Sequence, residues 1–217
     1  MEQLRSGWDL FLLPREWHRR LNESLVSLVP GFAVVGFFNI LCHSRSILVD
    51  FILGSTASVF EKTLLFIIAI FLIGFLDVFC FAWPIADLCK YLAKRSNKFI
   101  MKGFNIILMK SYAYSHLVFY PVILIVNPTG FEVERLYQEI TPATKFVIIT
   151  LYVWALLQAV IQPGILLRTV SIKSKLDLGE KILVALVMFL WMNLEAQAIG
   201  YVLDLNYNMF ATLFKLV

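Results

Sequence analysis

The polar residues that stand inside apolar runs are the places where this chain could do chemistry. They are Asp77, His116, Gln158, Gln162, Asn193, Glu195 and Gln197. Two carboxyls and a histidine at membrane depth are costly, so they need partners or a function. The chemistry on offer is a proton relay, a polar cavity or a solute path. The competing reading is a helix-to-helix hydrogen-bond network that fixes packing where lipid supplies no hydrophobic drive. Gln158 and Gln162 are four apart, hence on one helical face. A phosphate-binding Gly-rich loop, HExxH, Gly-x-Ser-x-Gly and a nucleophile–base set are all missing. No catalytic, metal or cofactor residue is therefore assigned, and a non-enzymatic protein without cofactors is expected. Cys42, Cys80 and Cys89 are an odd count without metal spacing and read as membrane-core or interfacial thiols.

These residues need helices to carry them. The 217 residues are 60% hydrophobic and 16% charged, well to the apolar side of a soluble domain. The apolar residues fall into five runs, near 24–41, 63–88, 104–126, 144–167 and 182–203. Each approaches the roughly 20 residues that cross a bilayer as a helix. The third contains Lys110, which shortens its inserted part. The runs are apolar all round, unlike the alternating strands of a barrel, and open sheets cannot leave backbone unpaired in lipid. The expected fold class is an all-α membrane protein, one domain over 1–217, with five spans and one or two interfacial helices. Trp83-Pro84 and Gln162-Pro163 read as helix ends.

Positive charge gives direction. Arg5, Arg15, Arg19 and Arg20 precede the first run. Lys90, Lys94, Arg95, Lys98 and Lys102 follow the second, with Lys110 just beyond, and Arg168, Lys173, Lys175 and Lys181 lie between the fourth and fifth. The opposite side holds only Arg45, Lys62, Arg135, Lys145 and Lys215. Positive residues mark the cytoplasmic side, so the N-terminus is expected inside and the C-terminus outside. The modest net charge of +4 fits topology and anionic-lipid contact, not nucleic-acid binding. The short Leu10–Pro14 apolar stretch lacks the form of a cleavable signal, so the first run is expected to act as its own insertion signal.

Two segments read as interfacial. In the first, Trp8 and Trp17 would anchor a headgroup-level helix whose Arg15, Arg19 and Arg20 face anionic lipid. A lid packed on the bundle is the alternative. In the second, residues 96–110, Ser96 or Asn97 would cap a helix from which Lys98, Lys102 and Lys110 snorkel. Thr141-Pro142 suits entry to the fourth span, after a mildly acidic outer loop with Glu132, Glu134 and Glu139.

The pattern resembles the Yip family of Rab-GTPase-interacting membrane proteins, in its bacterial form. The resemblance rests on Leu13-Pro14-Arg15-Glu16-Trp17, on the basic loop after the second span, on Ser111-Tyr112-Ala113-Tyr114 opening the third, and on the 166–179 connection. The family's proline soon after the Tyr-Ala pair is displaced to Pro121, and its Gly-rich turn is replaced by Lys94-Arg95-Ser96-Asn97. The resemblance implies a bacterial cytoplasmic-membrane protein acting as an accessory or scaffold for a membrane complex in export or membrane organisation. Its partners would be the lipid bilayer and another integral membrane protein or a second copy, with no nucleic acid. The alternative is a small transporter or channel subunit using the polar set.

Overall fold

A computed structural model describes the backbone at residues 8–43, 58–121, 124 and 141–213, with the side chains of 8, 10, 43 and 202–213 left out. The outer loop with Glu132, Glu134 and Glu139 lies outside the described residues. The described elements are helical: α1 (Trp8–Phe11), α2 (Arg15–Arg20), α3 (Val29–His43), α4 (Val59–Arg95), α5 (Phe104–Ser115), α6 (Pro142–Lys173) and α7 (Leu178–Leu213). Short 3-10 turns precede α3 at Val26–Leu28 and follow α5 at His116–Val118. There is no strand among the described residues, only an isolated bridge between Ile100 and Ser174.

Three helices are long and apolar enough to cross a membrane: Val59–Arg95, Pro142–Lys173 and, within α7, Leu178–Tyr201. They contain the second and fourth expected spans and the fifth as far as Tyr201. The first expected span is the shorter apolar helix α3, and the third holds the 12-residue α5.

Local chemistry sets the helix starts. Ser58 accepts from the Glu61 amide at 3.3 Å while Glu61 accepts from the Ser58 amide at 2.8 Å, a reciprocal capping box. Thr141 and Thr144 do the same for α6, with Pro142 in the first turn where a missing N–H costs nothing.

Two expectations fail here. Pro84 and Pro163 do not end their helices, since α4 runs on to Arg95 and α6 to Lys173. A helical proline is tolerated at membrane depth when neighbours take up the freed carbonyl. Pro84 withholds an N–H from Cys80, and the Trp191 indole N–H donates to the Cys80 carbonyl instead, at 3.0 Å. Nor does Ser96 or Asn97 cap the start of a helix. Ser96 closes α4, while Gly103, at φ 67°, stands immediately before α5. That left-handed turn suits glycine, and a Cβ there would lie 2.4 Å from the Glu23 Cβ.

The α3–α4 crossing holds the bundle together. A Cβ on Gly36 would sit 1.8 Å from the Ile70 carbonyl oxygen, and one on Gly74 1.8 Å from that of Phe32. The two backbones touch, as small residues allow between membrane helices. A core of Val35, Val78, Phe81, Ile85, Leu108, Tyr112, Val170 and Met188 extends from this contact.

The three basic segments gather at one end of the bundle. Met101 N donates to the Lys173 carbonyl at 3.3 Å and Lys175 N to that of Phe99 at 3.0 Å, joining the α4–α5 and α6–α7 connections. Lys98 pairs with Asp177 at 3.1 Å. The N-terminal hairpin docks on the same end. Lys173 Nζ donates to the carbonyls of Arg19 (2.8 Å) and Leu21 (2.9 Å), and Lys110 Nζ to Asn22 O (2.8 Å) and Oδ1 (2.7 Å). Lys110 is thus buried against protein and does not snorkel, because the hairpin brings it a set of oxygen acceptors.

Candidate functional site: an acidic cavity between the helices

Asp77 sits in the middle of α4 and is buried. The Tyr112 hydroxyl donates to its Oδ1 at 2.6 Å, and the Asn39 amide to its Oδ2. Both donors come from other helices, α5 and α3, so the carboxyl ties three helices together. Each oxygen already accepts a hydrogen bond.

Glu195 reaches the same place from α7. It lines the same cavity as Asp77 and is 7% exposed, yet its Oε1 has no partner. A buried polar atom without a partner is uncommon and asks for an explanation.

His116 follows α5 and is buried, edge-on to Phe38 and Tyr112. Its Nδ1 lies 3.0 Å from the Tyr112 carbonyl, which can only accept, so Nδ1 carries hydrogen. Its Nε2 lies 3.3 Å from Gln162 Nε2 and accepts from that amide. This network assigns His116 as a neutral imidazole.

Around these groups lies a cavity of about 180 Å³. Asp77, His116, Gln158, Gln162, Asn193 and Glu195 all line it, with Asn39, Tyr112 and Phe38. It opens between α6 and α7, where Ala155, Asn193 and Ala196 are exposed. Gln197 is not among the lining residues and is exposed on α7. Two positions after Glu195, it is turned to another face of the helix. Asn39 was not read from the sequence as a site residue; its signal was an amide within the first apolar run. No lysine or arginine lines the cavity, and no cluster of three or more His, Cys, Asp or Glu is placed to hold a metal ion among the described residues.

The expected interfacial anchors are placed otherwise. Arg15, Arg19 and Arg20 are exposed, Trp17 is half-buried edge-on to His18, and Trp8 begins α1 with its side chain outside the described part. His18, which the sequence reading passed over, is buried against α6. Its Nε2 lies 2.9 Å from the Leu12 carbonyl and its Nδ1 2.8 Å from Thr169 Oγ1, which is 2.6 Å from Ser111 Oγ. Burial holds the imidazole below its ordinary range, the charges of Arg168 and Lys173 push the same way, and the carbonyls of Leu12 and Leu13 oppose them. Arg168 also pairs with Asp9 and donates to the Leu13 carbonyl at 2.6 Å. The hairpin is a lid seated on the bundle end.

No family model matches the chain, and no curated protein or solved structure does.

Proposed function

We propose that this is a non-enzymatic integral membrane protein of five spans that binds a small polar solute in its intramembrane cavity, as a small transporter or channel subunit does. The observation that carries this reading is the convergence of polar side chains from α3, α4, α5, α6 and α7, with His116, on one cavity. A pure packing network would leave no cavity and no orphaned acid, whereas Glu195 Oε1 is unpartnered. In the proposed topology the end that carries the lid and the basic connections is cytoplasmic, since Lys and Arg mark that side.

A second reading, an accessory subunit as the Yip resemblance implies, is favoured by Gln197, an amide exposed on a spanning helix. An amide facing lipid is better satisfied by another protein helix.

Thermal unfolding of the purified full chain, in detergent and against a panel of small polar solutes, tests the leading reading. A saturable rise in Tm is expected for at least one solute. It should vanish when Ala155→Trp plugs the exposed mouth. A panel without effect, or a rise that survives the plug, sinks the reading. Co-purification of one integral protein that is lost in Gln197→Leu would favour the second.

A further inference from the structure

The charge balance of the cavity names the class of solute. Asp77 accepts from Tyr112 and Asn39, one donor on each oxygen, and Glu195 lines the same cavity. Two adjacent carboxylates out of water require a counter-charge between them. The described lining offers none, because among the described residues it contains no lysine or arginine and His116 is a neutral imidazole. A proton supplies one solution: it sits on Glu195 and points at Asp77, leaving Glu195 Oε1 bare. That bare atom, on a side chain more than nine-tenths buried, is what the structure contains. A cation supplies the other.

Beyond the two acids, the lining is apolar side chains interrupted by a few groups that carry ligand oxygens. The amides of Gln158 and Asn193 border the cavity. Ala159 does too, and its carbonyl lacks a helical donor because Pro163, four residues on, has no N–H. Backbone carbonyls freed within a membrane helix are suited to a hard cation. A single exchangeable proton fits a single positive charge. The space of about 180 Å³ holds waters and admits a small ion or a short amine.

We propose that the cavity is a site for a small monovalent cation, an alkali-metal ion or a protonated primary amine, that exchanges there for the proton on Glu195. The proposal rests on the solute-binding reading above and gives that solute its charge. In the exchange the O–H bond of Glu195 breaks, its proton leaves to solvent, and the carboxylate takes the cation at Oε1, so the net charge of the site is unchanged. The titratable groups that face Glu195 are Asp77 and Cys80 of α4 and Tyr112 of α5, with His116 facing Asp77. From α6 only amides face it.

The test is titration calorimetry of the full chain in detergent with NaCl, KCl or methylammonium chloride, N-methylglucamine chloride holding the ionic strength. Proton release is recorded in weak buffer. At least one of the three ions is expected to bind saturably and release a proton, and its affinity to rise about tenfold per pH unit while Glu195 is protonated. Binding of sodium or potassium assigns a metal ion, and binding of methylammonium an amine. Glu195→Gln removes the proton release and weakens binding at least tenfold. Should that variant fail to fold, the wild-type chain still answers. A hydrophobic carbodiimide adds to protonated carboxyls, so it should label Glu195, and the bound ion should protect it. Failure of all three ions to bind overturns the proposal, as does binding without proton release that Glu195→Gln leaves intact. If a neutral or anionic solute stabilises the protein through the cavity while no ion binds, the solute-binding reading stands and the cation assignment falls. If nothing stabilises it, both fall.

Discussion

The lid end of the bundle and the cavity treat buried charge in opposite ways. At the lid end Arg168, Lys110 and Lys173 each meet oxygen acceptors supplied by the N-terminal hairpin. In the cavity two carboxyls meet with no lysine or arginine among the described lining residues, and one oxygen is left over. Complete pairing is what a structural contact requires, because an unpaired buried charge is expensive. Incomplete pairing is stable only where a proton or a ligand finishes it. The contrast separates a fastening from a site, although both are polar and both are buried.

The sharpest way to break the contrast is at Arg168. Arg168→Ala leaves the mostly buried Asp9 carboxylate and the Leu13 carbonyl without their partner. Removing one member of a buried pair costs about 3 kcal/mol or more. The lid should come loose, and limited trypsin digestion should then cut faster at Arg15, Arg19 and Arg20. Unchanged digestion would mean that the hairpin is held by something other than these bonds.

Within the cavity the two acids should differ. Asp77→Asn keeps one acceptor oxygen where two donors converge, so Asn39 or Tyr112 loses its partner, at a cost of about 1–2 kcal/mol. Glu195→Gln removes no established bond to a donor, and the solute-free chain should melt within about 0.5 kcal/mol of wild type. Equal losses in the two variants would show that Glu195 is a packing residue like Asp77.

Trp191→Phe tests whether Pro84 is supported from outside its helix. The indole N–H is the donor to the Cys80 carbonyl, and the ring is otherwise retained. One interhelical bond of this kind is worth about 0.6 kcal/mol in a membrane protein. A small fall in Tm is expected, and it should disappear in a Pro84→Ala background, where the helix regains its own donor.

The pH dependence of the lid is the gentlest probe. The docked state holds His18 neutral and below its ordinary range, so it binds fewer protons than the undocked state. Docking is therefore at full strength above the undocked pKa of about 6.5. It weakens as pH falls below that value, because the undocked form gains the proton first. Trp17 emission should shift toward that of solvent-exposed indole as pH drops below about 6.5, and His18→Gln should flatten the response. A shift on raising the pH would contradict the burial of His18.

Much of the helical frame was legible in the sequence, because runs of apolar residues near bilayer length have one secondary structure open to them in lipid. The Thr141-Pro142 start needed only local chemistry, and the lysine and arginine clusters marked the connections that meet at one end. The polar set was legible as a set, since each member stands out against an apolar background. The sequence could not show that six of the seven line one cavity while Gln197 faces away. It could not show that Asn39 completes Asp77, nor that Glu195 has an oxygen to spare. Those facts depend on helix rotation and on the depth of the Gly36–Gly74 crossing, which are settled by contacts between distant residues. Lys110 was misjudged for the same reason, and His18 passed over: a basic residue near an apolar run is read as facing headgroups until tertiary structure brings a carbonyl to it. Composition and periodicity fix what each segment must be in a membrane; which polar atoms find partners is decided only when the helices pack, because a hydrogen bond needs its acceptor within about 3 Å.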